Sequence, residues 1–569
     1  MSNRVILISD FNIEILGRIL ENDEDAPSVD VELAPYGQVQ QVLASPPSTE
    51  REPYDAAIVW TRPSGVNSAF SRLASRQTVS EVDLLFEVDE FADLVRRYKD
   101  SAKRIIVANW CAPDLMRGLG ILDYLPGTGI AWALARMNLR LAEQLADEPD
   151  IYVIESERWL RVAGPRAYSA KSWFATKVPF TNLVFQEAAA DIKAAVFTFM
   201  GRSKKLILVD LDNTLWGGII GETGPEGIIL GGHDTNGEAF VAFQEALKAL
   251  TQRGVQLGIV SKNDESVALQ GIGEHSAMVL RQADFAGWRI NWEDKAANIV
   301  SLVEELNLGL DSVVFLDDNP AERGRVREAL PDILVPDLPP DPALFAQTLM
   351  ELRCFDVAQI SKEDVDRVSM YRAERQRRTE RANVSSTEDW LRSLDIRIEV
   401  ERFSPVNEQR IVQLIGKTNQ LNLSTRRLSV GEIRDWLAAP NRALWSFKVT
   451  DRFGDMGLTG IISVEVSNGI GRIVDFILSC RVMGRNVEEV MVHTAVQHAM
   501  EGGADKVQAN FLPTERNRPC LDFWTKSGFA EIEENLFEWP GNQPYPYPSW
   551  IDVVAVSDTK VDLDATAQG

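Results

Sequence analysis

A short apolar run that ends in two carboxylates is the feature that most constrains the fold of this chain. Residues 206–218 read Leu-Ile-Leu-Val-Asp-Leu-Asp-Asn-Thr-Leu-Trp-Gly-Gly. The run Leu206–Val209 predicts a buried strand, and because side chains alternate faces along a strand, Asp210 and Asp212 point the same way at its carboxyl end. Open α/β sheets bind their ligands at this edge. The motif therefore predicts an α/β fold with a phosphoryl-transfer site at the carboxyl edge of its sheet.

Three further motifs follow in order along the chain. A serine comes after the apolar run 257–260, a lysine follows it, and two adjacent aspartates come after the run 313–316. These residues are Ser261, Lys295, Asp317 and Asp318. A single Asp-x-Asp or Asp-Asn pair is ordinary turn chemistry. Four motifs in this order, three of them directly after apolar runs, favour an enzyme instead, and the set resembles the signature of the haloacid dehalogenase phosphatases.

Each carboxylate in this set has a chemical role. Asp210 is the candidate nucleophile, because a carboxylate can attack phosphorus to form an aspartyl-phosphate. Asp212 is the candidate general acid and base, which would protonate the leaving oxygen and later deprotonate water. Magnesium prefers oxygen ligands, and it is the predicted cofactor. The candidate metal ligands are Asp210, Asp212, Asp317 and Asp318.

The same motifs supply candidate contacts to the substrate. Ser261 would hydrogen-bond a phosphoryl oxygen, and Lys295 would offset negative charge in the transition state, because preorganised donors stabilise charge as it develops. The other candidate contacts in these motifs are Thr214, Lys262 and Asn263.

Composition and charge narrow the class of protein. The chain has 569 residues, enough for about three or four domains of the usual size. Its net charge of −25 opposes nonspecific binding to nucleic acid or to an anionic membrane, because both depend on cationic side chains. The four cysteines are widely spaced, which favours reduced thiols over a zinc site or a disulfide framework. Since neither a signal peptide nor a long apolar run is recognisable, we expect a cytoplasmic protein.

The first 165 residues alternate short apolar runs with amphipathic stretches. This pattern predicts a parallel, flavodoxin-like α/β layer. Polar pairs follow three of the runs, at residues 9–10, 61–62 and 109–110, and their placement resembles the loops of the SGNH hydrolases. The four histidines lie elsewhere, at positions 233, 275, 493 and 498, so no imidazole of this segment can activate a serine. We therefore expect a scaffold or docking surface rather than a hydrolase.

From about residue 395, successive strands followed by a helix predict a mixed α/β module. The segment 479–485, Ser-Cys-Arg-Val-Met-Gly-Arg, lies between a predicted strand and a predicted helix. Together with residues 523–529 it resembles the GCN5-related acyltransferases, in which an Arg/Gln-x-x-Gly-x-Gly/Ala loop binds pyrophosphate at a helix N-terminus. Arg481 and Gly484 match this loop, whereas Asn486 stands where glycine or alanine is usual. A strand-to-helix turn with basic caps fits the same spacing.

With this module attached to the phosphatase motifs, the chain resembles the FkbH-like family over nearly its whole length. The segments that carry the resemblance are 210–218, 261–263, 285–295, 315–322, 422–427, 453–457 and 479–481. The resemblance implies a bifunctional glyceryl transferase and phosphatase. Such an enzyme takes 1,3-bisphosphoglycerate, a small phosphorylated three-carbon substrate, transfers the glyceryl unit to a thiol and removes phosphate. The implied partner is the phosphopantetheine thiol of an acyl carrier protein, in polyketide or related biosynthesis.

Cys480 is the candidate thiol for this transfer. Arg481 and Arg485 lie beside it and are further candidate substrate contacts, since nearby positive charge favours the reactive thiolate. Cysteine is also among the most buried residue types, so a packing role stays open. Two other functions stay open for the whole chain: a phosphatase joined to an N-acyltransferase in saccharide or capsule biosynthesis, and a noncatalytic docking scaffold for carrier proteins.

The predicted organisation is α/β throughout. A flavodoxin- or SGNH-like layer, a Rossmann-like haloacid dehalogenase core and an acyltransferase-like module are joined by helical segments, and an acidic tail is predicted to be disordered. The predicted ranges are 1–165 for the first domain, 166–200 for a connecting segment, 201–345 for the core, 346–394 for a second connecting segment, 395–555 for the last domain and 556–569 for the tail.

Overall fold

The structure is a computed structural model that describes residues 3–23, 27–45, 52–112, 118–306, 308–358, 386–514, 516–540 and 543–555. Residues 359–385 of the predicted connecting segment 346–394 lie outside the described residues, as does the predicted tail 556–569. The described chain is α/β, as predicted, with two parallel sheets and one mixed sheet. Among the described helices, none is both long enough and apolar enough to cross a membrane.

The chain divides into two compact units, residues 1–197 and 198–569. The first unit contains one sheet and the second contains two, so each of the three predicted layers has a sheet of its own. The division falls within the helix Asn182–Phe199, in the predicted connecting segment 166–200.

A five-stranded parallel sheet forms the first unit. Its strands are β1 (Asn3–Ile8), β2 (Val29–Leu33), β3 (Ala56–Val59), β4 (Ile105–Ala108) and β5 (Ile151–Ile154). They run in the order β2-β1-β3-β4-β5, the order of flavodoxin-like folds. The helices are α1 (Glu14–Asn22), α2 (Val39–Leu43), α3 (Pro63–Val66), α4 (Ser68–Ala74), α5 (Glu81–Arg97), α6 (Ile130–Leu145), α7 (Glu157–Ala163), α8 (Ala170–Thr176) and α9 (Asn182–Phe199).

A four-stranded parallel sheet begins the second unit. Its strands are β6 (Leu206–Val209), β7 (Gln256–Ser261), β8 (Phe285–Ile290) and β9 (Val313–Leu316). They run in the order β8-β7-β6-β9. The helices are α10 (Ile220–Thr223), α11 (Thr235–Gln252), α12 (Glu265–Glu274), α13 (Lys295–Glu305), α14 (Pro320–Ala329) and α15 (Phe345–Met350).

Both faces of this sheet are buried. Ile207 and Val209 of β6 belong to one apolar cluster, and Leu206 and Leu208 belong to another. Successive side chains of a strand point to opposite faces, so the continuous apolar run of β6 fills two cores at once. This burial fixes the strand that presents Asp210 at its end.

A nine-stranded mixed sheet completes the second unit. Its strands are β10 (Arg397–Arg402), β11 (Leu421–Asn422), β12 (Arg442–Asp451), β13 (Gly454–Ser467), β14 (Ile470–Leu478), β15 (Lys506–Asn510), β16 (Ala530–Glu533), β17 (Leu536–Pro540) and β18 (Asp552–Ala555). Their order is β16-β17-β15-β14-β13-β12-β10-β18, with β11 paired to β14. The helices are α16 (Thr387–Ser393), α17 (Glu408–Lys417), α18 (Val430–Leu437), α19 (Val487–Glu501) and α20 (Arg518–Lys526).

Strands β14 and β15 stay together over only part of their length. They pair in parallel through residues 470–473 of β14, whereas the last two residues of β14 pair with β11 instead. The short segment Leu421–Asn422 therefore takes the place beside the end of β14. Cys480 follows this end, in the 3₁₀ turn Cys480–Val482.

Candidate active site

The carboxyl ends of β6 and β9 bring the first and last acidic motifs together. Val209 pairs with Leu316 in the sheet register, and the backbone N–H of Asp210 donates to the carbonyl of Leu316 at 3.0 Å. Asp210 and Asp317 are therefore neighbours across two adjacent parallel strands. Both are buried, with 7% and 0% of their surface exposed.

Three carboxylates converge at this point. One oxygen each of Asp210, Asp317 and Asp318 lies within 4.8 Å of the others. Oδ1 of Asp210 is buried and has no hydrogen-bond partner among the described residues. An orphaned buried oxygen within a set of carboxylates fits a divalent cation that takes oxygen ligands, as magnesium does. These residues therefore fit the predicted cofactor.

Lys295 is the ammonium of this cluster. Its Nζ lies 3.0 Å from Oδ2 of Asp210 and 2.6 Å from Oδ2 of Asp317. Burial would lower the pKa of Lys295, but the two carboxylates outweigh burial and raise that pKa above its usual value. The lysine therefore stays protonated, and it offsets only part of the negative charge of the three carboxylates.

Burial and mutual repulsion act on the carboxyl groups themselves. Burial and the negative charge of Asp210 raise the pKa of Asp317 to about 6, although the positive charge of Lys295 lowers it in part. The pKa of Asp318 is raised for the same first two reasons. A group of acids that resist ionisation together is typical of a functional site, because a bound cation would relieve the repulsion.

The structure does not place Asp212 among the metal ligands. Its Oδ1 accepts hydrogen bonds from Trp216 Nε1 at 2.9 Å and from the N–H of Ile220 at 3.0 Å, and its Oδ2 accepts from Asn263 Nδ2 at 2.9 Å. Both oxygens are thus held by the protein, and the prediction of a fourth carboxylate ligand is not supported. Burial raises the pKa of Asp212, which suits its predicted role as an acid.

The predicted substrate contacts of the phosphatase motifs differ in the groups that they bind. Ser261 ends β7 and is buried at the same edge of the sheet as Asp210. Thr214 instead donates to Oδ1 of Asp318 at 3.2 Å and accepts from its N–H at 3.1 Å. Lys262 pairs with Glu322 at 2.7 Å. Thr214 and Asn263 therefore hold the candidate carboxylates Asp318 and Asp212 in place, whereas Ser261 lies at the predicted edge of the sheet.

One positioning residue, Arg323, was not predicted from the sequence. Its Nη1 donates to the backbone carbonyls of Asp317 and Asp318, at 2.8 Å each, and the residue is buried. Arg323 lies in α14, which begins at Pro320 with Asn319 as its N-cap. The Asn-Pro pair after the two aspartates signals this helix start. It does not reveal which side of the helix turns back toward the strand.

Only two of the three residues predicted for the second site, Cys480 and Arg481, lie at the same cavity. Cys480 is half-buried, and Cys480 and Arg481 both line a cavity of about 400 Å³. Arg485 does not line this cavity. Its side chain is buried, 3.7 Å from the carboxylate of Asp451 and 3.1 Å from the sulfur of Met456. In this structure Arg485 offsets the charge of a buried aspartate, and its role as a substrate contact stays a prediction.

In the first unit, the polar pairs at the strand ends bind one another. Oγ of Ser9 accepts from the N–H of Phe11 at 3.1 Å. The carboxylate of Asp10 accepts from the N–H and from Nε of Arg62, at 2.7 and 2.9 Å. No histidine occurs in this unit. This unit therefore offers Ser9 no imidazole base.

We predict that Ser9 does not react with a fluorophosphonate probe, because serine needs a neighbouring base to become a nucleophile. Peptide mass spectrometry after labelling of the full chain checks this. Ser9→Ala is the matched control, and its labelling pattern should equal that of the wild type. A probe adduct on the Ser9 peptide that this variant loses would contradict the prediction.

Comparisons with known proteins agree with the core of this picture. No family model matches the chain, and no curated protein matches it. Among solved structures, the N-terminal part of the protein BF1531 from Bacteroides fragilis, which contains a phosphatase domain and is complexed with Mg, is similar. It is 28% identical, has a TM-score of 0.57, and the match covers 63% of this chain and 95% of that chain.

Smaller structures are similar to parts of the chain at much lower scores. A GNAT-family acetyltransferase from Staphylococcus aureus is 8% identical with a TM-score of 0.21, over 26% of this chain and 99% of that chain. A domain from Methanocaldococcus jannaschii is 17% identical with a TM-score of 0.22, over 25% of this chain and 97% of that chain. At these TM-scores the two similarities establish nothing further about this chain.

Proposed function

We propose that this chain is a magnesium-dependent phosphatase of the haloacid dehalogenase type, with Asp210 as its nucleophile. The observation that carries the proposal is the buried cluster in which Asp210, Asp317 and Asp318 meet Lys295, with one oxygen of Asp210 left without a partner in the described chain. The similarity to a phosphatase domain complexed with Mg supports it. The metal, held by the three carboxylates, would supply positive charge to the phosphate.

The residues of this chain would carry out two displacements. An oxygen of Asp210 forms a bond to phosphorus while the bond from phosphorus to the leaving oxygen breaks, and Asp212 donates a proton to that oxygen. Water then attacks the phosphorus of the aspartyl-phosphate and gives a proton to Asp212, while the bond from phosphorus to Asp210 breaks. Inorganic phosphate leaves and the Asp210 carboxylate is regenerated. Lys295 holds Asp210 in place and offsets charge, and Ser261 would donate to a phosphoryl oxygen.

We further propose that the phosphate is removed from a glyceryl unit that the same chain transfers to an acyl carrier protein. The donor would be 1,3-bisphosphoglycerate, whose acyl phosphate is already activated, so a thiolate can displace it without ATP. The thiol would be that of Cys480, which lines a cavity together with Arg481. This finer proposal follows the resemblance to the FkbH-like family.

Intact-mass analysis of a carrier protein tests the finer proposal. The full chain is incubated with 1,3-bisphosphoglycerate, magnesium and a carrier that bears phosphopantetheine. We expect a glyceryl increment on the carrier. When EDTA removes the metal, we expect a phosphoglyceryl increment instead, because of the two steps only phosphate removal needs the Asp210 site.

The apo carrier, which lacks the thiol arm, is the matched control and should gain no mass. If no increment appears on the holo carrier while phosphate is still released from a small ester, the phosphatase proposal survives and glyceryl transfer is wrong. Acylation of an amino sugar in the same assay would favour the N-acyltransferase alternative. A chain without either activity would leave the noncatalytic docking scaffold.

A further inference from the structure

The cavity beside Cys480 is built by two parts of the second unit. Lys205 and Gln256, which come at the start of β6 and β7, line it from the four-stranded sheet, and Ser479 and Cys480 line it from the mixed sheet. The volume of about 400 Å³ suits a small molecule or the end of a flexible arm.

The lining of this cavity is strongly cationic. Its basic residues are Arg202, Lys205, Arg410, Arg481, Arg516 and Arg518, and its one acidic residue among the described chain is Asp311. Asp311 pairs with Arg516 at 2.7 Å. Such a concentration of positive charge is unexpected in a chain of net charge −25. Like charges held close together repel unless an anion offsets them.

The positive charge of the cavity lining also acts on Arg427. Burial and then the charge of Arg202 lower the pKa of Arg427 to about 10. Within the described chain, the side chains of Arg202 and Arg518 make neither a hydrogen bond nor an ion pair. A guanidinium presents a planar set of donors that matches the oxygens of a phosphate group. Both side chains are therefore free to hold an anion in the cavity.

Arg481 is fixed toward the same site. Its Nε donates to Oγ of Ser479 at 3.1 Å, within the turn that also carries Cys480. The thiol and this guanidinium thus share one short segment and one cavity. A group bound by its anionic end to the arginines would lie next to the sulfur.

The cavity lies at the amino ends of β6 and β7, whereas the phosphatase cluster lies at the carboxyl ends of the strands. Lys205 precedes β6 and Asp210 follows it, and five residues at about 3.3 Å each put them about 16 Å apart. A three-carbon substrate is too short to reach from one edge to the other. An anion held by the arginines is therefore not the phosphate that Asp210 attacks.

We propose that this cavity is a second phosphate-binding site, in which Arg202 and Arg518 hold a phosphate ester beside the Cys480 thiol. It extends the proposed function, and rests on it only for the identity of the ester. The ester comes from one of two sources with the same chemistry: a small phosphorylated acyl donor, or the phosphopantetheine arm of a carrier.

Protection of Cys480 from alkylation tests the site. The full chain in EDTA is treated with iodoacetamide, alone and with inorganic phosphate, 3-phosphoglycerate or phosphopantetheine, and peptide mass spectrometry follows each cysteine. Burial raises the pKa of Cys111, Cys354 and Cys520 to about 12, so these thiols should react slowly and serve as internal references. Without magnesium, phosphatase turnover does not consume the probes.

We expect a saturating phosphate-bearing probe to slow alkylation of Cys480 about tenfold, because only the unbound fraction reacts. Arg202→Gln and Arg518→Gln should each weaken the probe about tenfold, since each removes a charged donor. Arg472→Gln, an exposed arginine on β14 outside the cavity, is the matched control and should leave protection unchanged.

Each outcome decides the proposal. Protection by 3-phosphoglycerate but not by phosphopantetheine assigns the small donor as the source, and the reverse assigns the carrier arm. Absence of protection by all three probes would overturn the site, as would protection that both arginine variants retain in full. Magnesium-dependent phosphate release, measured on the same proteins, should be unchanged in the arginine variants, so failure of this site and failure of the phosphatase proposal are distinguished.

Discussion

Replacement of Asp210 by asparagine is expected to lower magnesium-dependent phosphatase activity at least about 10³-fold, because the amide keeps the shape of the carboxylate but cannot attack phosphorus. The substitution also removes the charge of one of three converging carboxylates, so the protein should fold and lose little stability. Release of inorganic phosphate from a small phosphate ester measures the activity, and thermal unfolding measures the fold.

Asp332→Asn is the matched control, because Asp332 is exposed on the same unit and lies outside the cluster. This variant should hydrolyse the ester at the wild-type rate. EDTA should bring the wild-type protein down to the level of Asp210→Asn, since the carboxylates would then lack the cation that offsets their charge. An Asp210→Asn protein that released phosphate at the wild-type rate would show that Asp210 is not the nucleophile.

The second large effect is expected at Cys480. In the proposed transfer, the thiolate attacks the acyl carbon of the donor, the bond from that carbon to the phosphate oxygen breaks, and inorganic phosphate leaves. The enzyme then carries a thioester, which the carrier thiol displaces while the Cys480 thiolate is regenerated. Cys480→Ala should therefore abolish both the enzyme-bound increment, which hydroxylamine removes, and loading of the carrier.

Two variants sharpen this test. Cys354→Ala changes another half-buried cysteine of the same unit and should load the carrier normally. Asp212→Asn should leave acylation intact but block phosphate removal, so a phosphorylated increment should accumulate on enzyme or carrier. If Cys480→Ala loaded the carrier normally, the pantetheine thiol would attack the donor directly, and the module would only bring the two reactants together.

Most strands of the two units could be predicted from short apolar runs. Residues 206–209 and 313–316 were predicted from sequence and form β6 and β9 with those bounds. The prediction succeeds because a strand buried on both faces needs an uninterrupted apolar run, which is visible locally. The helix predicted after the Cys480 segment is present as well, and it spans Val487–Glu501.

Strands in which charged residues or glycine interrupt the apolar run were not predicted from the sequence. β2, with the sequence Val-Asp-Val-Glu-Leu, lies at the edge of its sheet, where alternate side chains meet solvent and carry charge. β8 contains a glycine and an arginine and is also an edge strand. Charged residues or glycine interrupt the apolar pattern of both strands, so this pattern is hard to distinguish from that of a loop.

The sequence alone determined where reactive groups leave the strands. An apolar run fixes a buried strand, the alternation of side chains fixes the direction of the residues that follow, and Asp210, Ser261 and Asp317 are therefore placed at one edge. These are short-range properties of a few consecutive residues. They predict the type of chemistry at the edge.

The tertiary structure decided which groups meet. Lys295 reaches Asp317 across 22 positions of sequence, Arg485 is buried against Asp451 instead of lining a site, and Arg202 shares a cavity with Arg518 from a distant part of the chain. Contacts of this kind depend on how sheets and helices pack, and the balance of burial against charge pairing that selects them is a property of the folded molecule.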